Sequence, residues 1–197
     1  TSRMIVEGLL TTVDSAGNLN VAPMGPIVDG DFAALTLRPF RGSTTYENLL
    51  ATKVAVFHIV DSVDLIAEAA IRKLSRNRIP PTKPAAKIAG FVLEDCCRYF
   101  ELQVTECDIS EARSSMTAKV VLQQERRPHF GFNRARHAVI EAAILATRVH
   151  ILPKSEIESA IQFLKPAVEK TGGPVETGAF QMLVTYIEEH FAKGART

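Results

Sequence analysis

The hydrophobic period of this chain changes once, near residue 133, and that change restricts the fold more than any other feature of the sequence. Before it, apolar and polar side chains alternate in several runs, as in half-buried β-strands. From Asn133 onward the apolar residues recur every three to four positions, as on one face of an α-helix. A run of strands followed by a run of helices predicts an α+β protein, or a β-barrel that carries a helical appendage. The 197 residues suit one large domain or a domain with such an appendage.

Six antiparallel strands are predicted before the change of period. Turn signals at residues 14–18 and 29–30 separate the first three of them. Pro23 interrupts the second strand, and because proline cannot donate to a sheet ladder we expect that strand to lie at an edge or to bend. An inserted helix of residues 61–74 and an exposed proline-rich loop of residues 75–87 follow the fourth strand. The predicted strands cover residues 4–13, 19–28, 32–37, 53–60, 89–105 and 114–124.

Three helices are predicted after the change of period. Asn133 caps the first helix, and Ser155 with Glu158 forms a capping box for the second. Pro166 is expected to kink the second helix, and Gly172 to end it. The helices cover residues 133–149, 155–172 and 176–193. We therefore predict a barrel domain of residues 1–128 and a helical C-terminal extension of residues 129–197, packed on the barrel or at a dimer interface.

Composition restricts the partners and the location of the chain. A formal net charge of +1 gives no general attraction to nucleic acid or to a membrane surface. The apolar runs are far shorter than the roughly 18 residues that span a bilayer. No secretory leader is visible, and three cysteines, two of them adjacent, do not make a disulfide framework. We therefore expect a cytoplasmic protein with reduced, structural thiols that binds neither nucleic acid nor membrane.

The segment from residue 35 to residue 60 has the pattern of an anion-binding loop. It predicts a strand, a Gly-Ser-Thr-Thr loop, a short helix and a second strand. The N–H groups at the start of a helix attract anions, and Arg38 and Arg41 add forked donors that suit a phosphate. Thr44 with Glu47 also fits a capping box, which would satisfy the helix without any ligand. Both interpretations remain open on these residues alone. The side chains that would complete a phosphate site are Ser43, Thr44, Thr45 and Asn48.

No side chain is identified as a catalytic group or as part of a metal site. His58 lies in an apolar strand, where a histidine with satisfied hydrogen bonds is more common than a catalytic one. His137 and Glu141 share a helix face but lack the third ligand of a metal site. The chain has no GxGxxG, GxxxxGK[ST] or GxSxG motif. If the protein is an enzyme, we expect a cofactor to perform the difficult chemical step.

Three stretches of the chain resemble the flavin-reductase-like FMN-binding split barrels. The hairpin GLLTTVDSAGNLNVAPMGP resembles the family's opening pair of strands, which ends in a small-Pro-x-small segment. The stretch GSTTYENLLATKVAVFHIV is similar to the family's Ser-x-Thr-x-x-Asn element and the strand after it. Arg38, at the end of the third strand, matches a frequent phosphate contact. The resemblance covers about residues 4–125 and is strongest to an uncharacterised subfamily with an added helical C-terminus.

The resemblance implies a fold, a cofactor and a set of site residues. The fold is a six-stranded antiparallel split barrel of the FMN-binding type, followed by a three-helix extension, and the assembly is a homodimer with flavin at the subunit interface. His58 stands where relatives often have Asn and is included among the cofactor-binding residues. The resemblance implies that the FMN phosphate is held by Arg38, Ser43, Thr44, Thr45 and Asn48, and that the isoalloxazine ring is bordered by Ala22, Pro23, Met24 and Gly25.

Two functions from different classes follow from these observations. The first is an FMN-dependent oxidoreductase, similar to flavin reductases, whose substrate and small-molecule electron donor and acceptor are unknown. The second is a non-catalytic flavin- or ligand-binding module that acts through its helical extension. Flavin absorbance or saturable binding of FMN is expected under the first. Partner binding that survives Arg38→Ala is expected under the second.

Overall fold

A computed structural model describes residues 3–71 and 79–194 of the chain and separates them into two compact units. The first, called the barrel unit below, contains the described residues up to 60 together with residues 79–129. The second, called the helical unit, contains the described residues from 61 to 71 together with residues 130–194. The fold is therefore of the α+β class, as the sequence predicted.

The barrel unit is a curled antiparallel sheet of eight strands with a separate pair of short strands. The strands are β1 Met4–Ile5, β2 Gly8–Val13, β3 Leu19–Met24, β4 Ile27–Val28, β5 Ala34–Leu37, β6 Val54–Ile59, β7 Thr82–Pro84, β8 Phe91–Leu93, β9 Arg98–Asp108 and β10 Ser115–Glu125. The order of the eight-stranded sheet, β1-β4-β5-β10-β9-β6-β2-β3, places β3 at one edge. That position confirms the expectation that the strand interrupted by Pro23 is an edge strand.

The prediction of six strands is wrong in number, because three of the predicted strands are broken and a further strand lies in a predicted loop. The first predicted strand divides into β1 and β2, and the second divides at Gly25 and Pro26 into β3 and β4. The fifth divides into β8 and β9 around residues 94–97. β7 lies in the predicted loop of residues 75–87, of which residues 75–78 are outside the described residues. The break between β3 and β4 contains Pro26, and the break between β8 and β9 is a bend; both features remove ladder hydrogen bonds.

The core of the barrel unit follows from the alternation of its strands. Leu35 and Leu37 are fully buried, while the side chains between and beside them are partly exposed. Phe57 and Phe100 stack with ring centroids 6.1 Å apart at the centre of the same cluster. Leu49 of the short helix α1, which covers Thr44–Thr52, joins them. Burial of these side chains is the main force that holds α1 on the sheet.

Four helices form the helical unit in the part of the chain that the structure describes. α2 covers Val63–Ala70, α3 Arg134–Thr147, α4 Lys154–Thr171 and α5 Pro174–Gly194. The Asn133 side chain accepts a hydrogen bond from the Arg136 N–H, so the predicted cap of α3 is confirmed. The predicted capping box at Ser155 is wrong, because α4 already begins at Lys154 and Pro153 is its N-cap residue.

The helices pack through small and aliphatic side chains. The buried positions of α3 are alanines with one valine, which allow its neighbours to approach closely. Ile157 and Ile161 of α4 and Leu183 and Ile187 of α5 face the same core, as their helical spacing predicts. The residue that ends the inserted helix was expected near 74, which is outside the described residues.

A buried ionic cluster joins the ends of three of these helices. The Arg136 guanidinium lies 3.0 Å from a Glu176 oxygen and 3.7 Å from an Asp61 oxygen. Asp61 also accepts the Phe130 N–H, and Glu176 accepts the Gly173 N–H. Burial acts to raise the pKa of Glu176, but hydrogen bonds from its own backbone, Arg136 and Gly173 together hold that pKa below its usual value. The cluster therefore fixes the starts of α2 and α5 against α3.

No helix within residues 3–71 and 79–194 is both long and apolar enough to cross a membrane. In the same residues, no group of three or more His, Cys, Asp or Glu side chains is placed to hold a metal ion. None of the three cysteines, all of which lie within the described residues, forms a disulfide; Cys96 and Cys97 are buried and Cys107 is exposed. Burial raises the pKa of Cys96 to about 11, which makes its thiol unreactive at neutral pH.

Candidate functional site

The N-terminus of α1 is capped by Ser43, one residue earlier than the sequence suggested. The Ser43 Oγ accepts the Tyr46 N–H at 3.1 Å, and the Ser43 carbonyl accepts the Glu47 N–H at 3.0 Å. The proposed capping box of Thr44 with Glu47 is therefore wrong, since Tyr46 occupies the position at which the box requires an acid. Thr44 becomes the first residue of the helix and is exposed.

This capping leaves two backbone N–H groups at the start of α1 available for an anion. The Ser43 side chain and carbonyl accept from Tyr46 and Glu47. Within the described residues, the N–H groups of Thr44 and Thr45 have no hydrogen-bond acceptor. They lie at the positive end of the helix dipole, where an anionic oxygen is favoured.

The loop between β5 and α1 is held by the residues just before β10. Gly42 has a φ of 79°, which a residue with a side chain rarely adopts, and the Ser43 N–H donates to the Phe40 carbonyl. The Arg113 Nε donates to the Arg38 carbonyl at 3.2 Å, and the Arg113 guanidinium lies over the Phe40 ring. The loop is therefore a defined turn that connects Arg38 to the N-terminus of α1.

Arg38 has a buried polar atom that lacks a hydrogen-bond partner in the described part of the chain. Its side chain is half-buried, and its Nε is buried without a hydrogen-bond acceptor among the described residues. A buried guanidinium N–H with no acceptor is costly, so such an atom indicates a partner that the protein itself does not supply. Arg41, the other arginine of the loop, is exposed.

Thr45 and Asn48 connect α1 to the hairpin of β2 and β3. The Asn48 amide donates to the Thr12 Oγ1 at 3.0 Å, and the Asn20 amide donates to the Thr45 Oγ1 at 3.2 Å. Thr12 and Asn20 are directly opposite each other in the hairpin register. The sequence analysis identified neither residue. Two polar side chains opposite each other in an otherwise apolar hairpin would have indicated this contact if the register of the hairpin had been known.

The segment of residues 22–25 ends the edge strand β3. Side chains two residues apart share a face of a strand, so Asn20, Ala22 and Met24 share one face and Pro23 lies on the other. Met24 packs against the barrel core. At Gly25 an added Cβ would lie 2.8 Å from the Ile5 side chain, which explains the need for a small residue. Because β3 is an edge, half of its backbone hydrogen-bonding groups lack a strand partner and can meet a ligand.

His58 has a structural role in this arrangement. The imidazole is fully buried, with Nδ1 3.1 Å from the Leu9 carbonyl and Nε2 accepting the Leu93 N–H at 2.9 Å. Nδ1 therefore carries the proton, and the ring is neutral. Burial lowers the pKa of His58 to about 4, and the bond to Leu9 opposes this only in part. Both ring nitrogens are occupied, so the structure brings His58 to no ligand-binding surface.

An antiparallel half-barrel with a helix N-terminus of this kind is typical of the flavin-reductase-like FMN-binding split barrels, and solved structures of that class are similar to this chain. An FMN-bound protein from Methanosarcina mazei is 21% identical, with a TM-score of 0.78 over 94% of this chain and 96% of that one. The 2-nitrobenzoate 2-nitroreductase of Pseudomonas fluorescens is 18% identical, with a TM-score of 0.53 over 64% and 66% of the two chains. The styrene monooxygenase flavin reductase of Pseudomonas putida S12 is 13% identical, with a TM-score of 0.52 over 60% and 77%.

The chain belongs to the protein family of unknown function DUF447. Residues 6–127 match the model of the N-terminal domain of that family, and residues 133–185 match a second model of the same family. The Methanosarcina mazei protein is assigned to the same family. No curated protein matches the sequence significantly.

Proposed function

We propose that this protein binds FMN noncovalently in its barrel unit and acts as a flavin-dependent oxidoreductase on a substrate that is still unidentified. One observation carries the proposal: the buried Arg38 Nε has no acceptor in the part of the chain that the structure describes, and it lies five residues before a helix N-terminus that offers the N–H groups of Thr44 and Thr45. These donors suit the phosphate of FMN in number and charge. The family relative that was solved with FMN supports the same ligand.

Each residue of the loop has a definite task in this proposal. Arg38 supplies a charge-assisted hydrogen bond, and Thr44 and Thr45 supply backbone N–H groups. The hydroxyls of Ser43 and Thr45 already accept hydrogen bonds, and each still has its own hydrogen to donate to a phosphate oxygen. Asn48 is buried against Thr12 and positions α1.

The ring system is proposed to lie against the end of β3. Ala22, Pro23, Met24 and Gly25 border it, and the unpaired backbone groups of this edge strand orient it. His58 is left out of the ring contacts because its two nitrogens are occupied. Bound FMN would supply reversible acceptance of a hydride or of single electrons, which no side chain of the site provides.

The assembly and the domain division remain proposals of the same kind. We propose a homodimer with the flavin at the subunit interface, and a nicotinamide or another hydride donor as the source of electrons. We also propose the division of the sequence into a barrel of residues 1–128 and an extension of residues 129–197, which the boundary between the two family matches supports. The inserted helix α2 is the exception, because it packs in the helical unit. The cytoplasmic location stays a prediction from the sequence.

The proposal is tested by the absorbance spectrum of the freshly purified protein, followed by titration with FMN. We expect flavin bands or saturable binding, and we expect Arg38→Gln to weaken binding by about 1–3 kcal/mol through loss of a charge-assisted bond. Arg134→Gln removes an exposed charge from α3 and is the matched control. A colourless protein that does not bind added FMN would refute the proposal.

A further inference from the structure

The barrel unit contains a cleft that the proposed phosphate site does not use. Its volume is about 530 Å³, within the range of pockets that hold small organic molecules. It lies where β6 ends, β9 begins and β10 ends. The cleft, called the arginine cleft below, is lined by Ile59, Cys97, Arg98, Glu125, Arg126, Arg127, Pro128 and His129.

The lining has an excess of positive charge. Three arginines face a single carboxylate, that of Glu125. Asp95 compensates Arg127, whose guanidinium it binds at 2.9 Å. Arg98 and Arg126 are therefore left with Glu125 as the one acidic lining residue, in a chain whose overall charge is close to zero. A local excess of this kind raises the concentration of small anions in a cleft.

Arg98 is held in a fixed orientation by its own surroundings. Its guanidinium lies 4.7 Å from the Phe100 ring centroid and 5.1 Å from that of Phe32. One N–H donates to the Gln123 Oε1 at 2.6 Å. A guanidinium has five N–H donors, so most of them remain for a ligand, and stacking has already removed much of the side-chain entropy that binding would cost.

Arg126 supplies a second guanidinium to the lining of the cleft. It donates one N–H to the Glu94 carbonyl at 3.3 Å, and its other N–H groups have no acceptor among the described residues. The Ile59 and Pro128 side chains add apolar surface beside the two arginines. A lining that combines arginines with apolar side chains suits an organic molecule that carries an anionic group at one end.

We propose that the arginine cleft binds the carboxylate or phosphate group of a small organic anion. Anion binding by the cleft stands on the charge and geometry of Arg98 and Arg126 alone.

Benzoate is the probe for the cleft, and benzamide, which has the same shape without the charge, is its control. Calorimetric titration of the flavin-free protein is expected to show benzoate binding at least tenfold more tightly than benzamide. Arg126→Gln and Arg98→Gln are each expected to weaken benzoate binding by about tenfold, as for one lost charge-assisted bond. Arg134→Gln is expected to leave it unchanged, since that residue is exposed on α3.

Equal affinity for benzoate and benzamide, absence of benzoate binding, or unchanged affinity in Arg126→Gln would overturn the proposal. Arg126 is exposed, so its substitution tests the cleft even if Arg98→Gln fails to fold. Displacement of benzoate by inorganic phosphate would support a site for phosphate-bearing molecules, and its absence a site for carboxylates. Arg38→Gln separates the two proposals, because it is expected to weaken FMN binding and to leave benzoate binding intact.

Discussion

Glu101 offers a sharp test of how the barrel unit is held together. The carboxylate is fully buried in β9, and its two oxygens accept the N–H groups of Ala86 and Lys87 at 2.7 Å and 2.6 Å. Glu101→Gln keeps the size of the side chain but places an NH₂ group against one of these N–H donors. One charge-assisted bond is lost, a buried N–H is left without an acceptor, and the remaining bond becomes neutral. The expected loss of stability is about 2–4 kcal/mol.

Urea unfolding followed by circular dichroism measures this loss, and amide hydrogen exchange locates it. Exchange is expected to accelerate at Ala86 and Lys87, because their acceptor has been weakened. Glu106→Gln is the control, since that residue lies on the same strand but is exposed, and its effect should stay within about 0.5 kcal/mol. A Glu101→Gln protein as stable as the wild type, with unchanged exchange at both amides, would refute the reasoning.

Two further predictions separate cofactor binding from packing. Thr45→Ala is expected to weaken FMN binding by about 1–3 kcal/mol in a fluorescence titration, whereas Thr12→Val removes only the partner of Asn48 and should lower stability more than affinity. If Thr12→Val weakened FMN binding more than Thr45→Ala does, the assignment of the phosphate donors would be contradicted. Ile161→Ala is expected to cost about 2–5 kcal/mol of unfolding free energy, because the side chain is buried in the helical unit. Phe163→Ala on the same helix is the control, since Phe163 is 84% exposed, and equal losses would show that α4 packs differently.

The sequence predicted the class of the fold because periodicity reports burial directly. The change of period near residue 133 separates the last strand from α3, and Asn133 caps that helix as expected. The number of strands was not predictable by the same means. Periodicity continues across Gly25 and Pro26, where the backbone leaves one sheet partner and joins another. A change of hydrogen-bonding partner leaves no trace in side-chain polarity.

The candidate site was predictable where it depends on local chain and not where it depends on tertiary contacts. A Gly-Ser-Thr-Thr loop before a helix signals a helix start, but its cap is Ser43 and not Thr44, a difference of one residue that only the geometry decides. The partners of Thr45 and Asn48 come from another part of the chain, and no local pattern reveals such pairs. The arginine cleft likewise joins residues from three strands.

His58 links the fold of the barrel unit to pH. Its pKa is lowered from 6.5 to about 4 by burial, so the folded protein takes up this proton only well below the pH at which the unfolded chain does. The neutral imidazole therefore contributes its full share to the free energy of unfolding above pH 6.5. This contribution falls by about 3 kcal/mol in all as the pH decreases toward 4. His58→Asn removes the titrating group, so its stability should change less over this interval than that of the wild type. Parallel pH profiles for the two proteins, or an imidazole NMR signal that titrates near pH 6.5 in the folded wild type, would contradict a neutral structural role for His58.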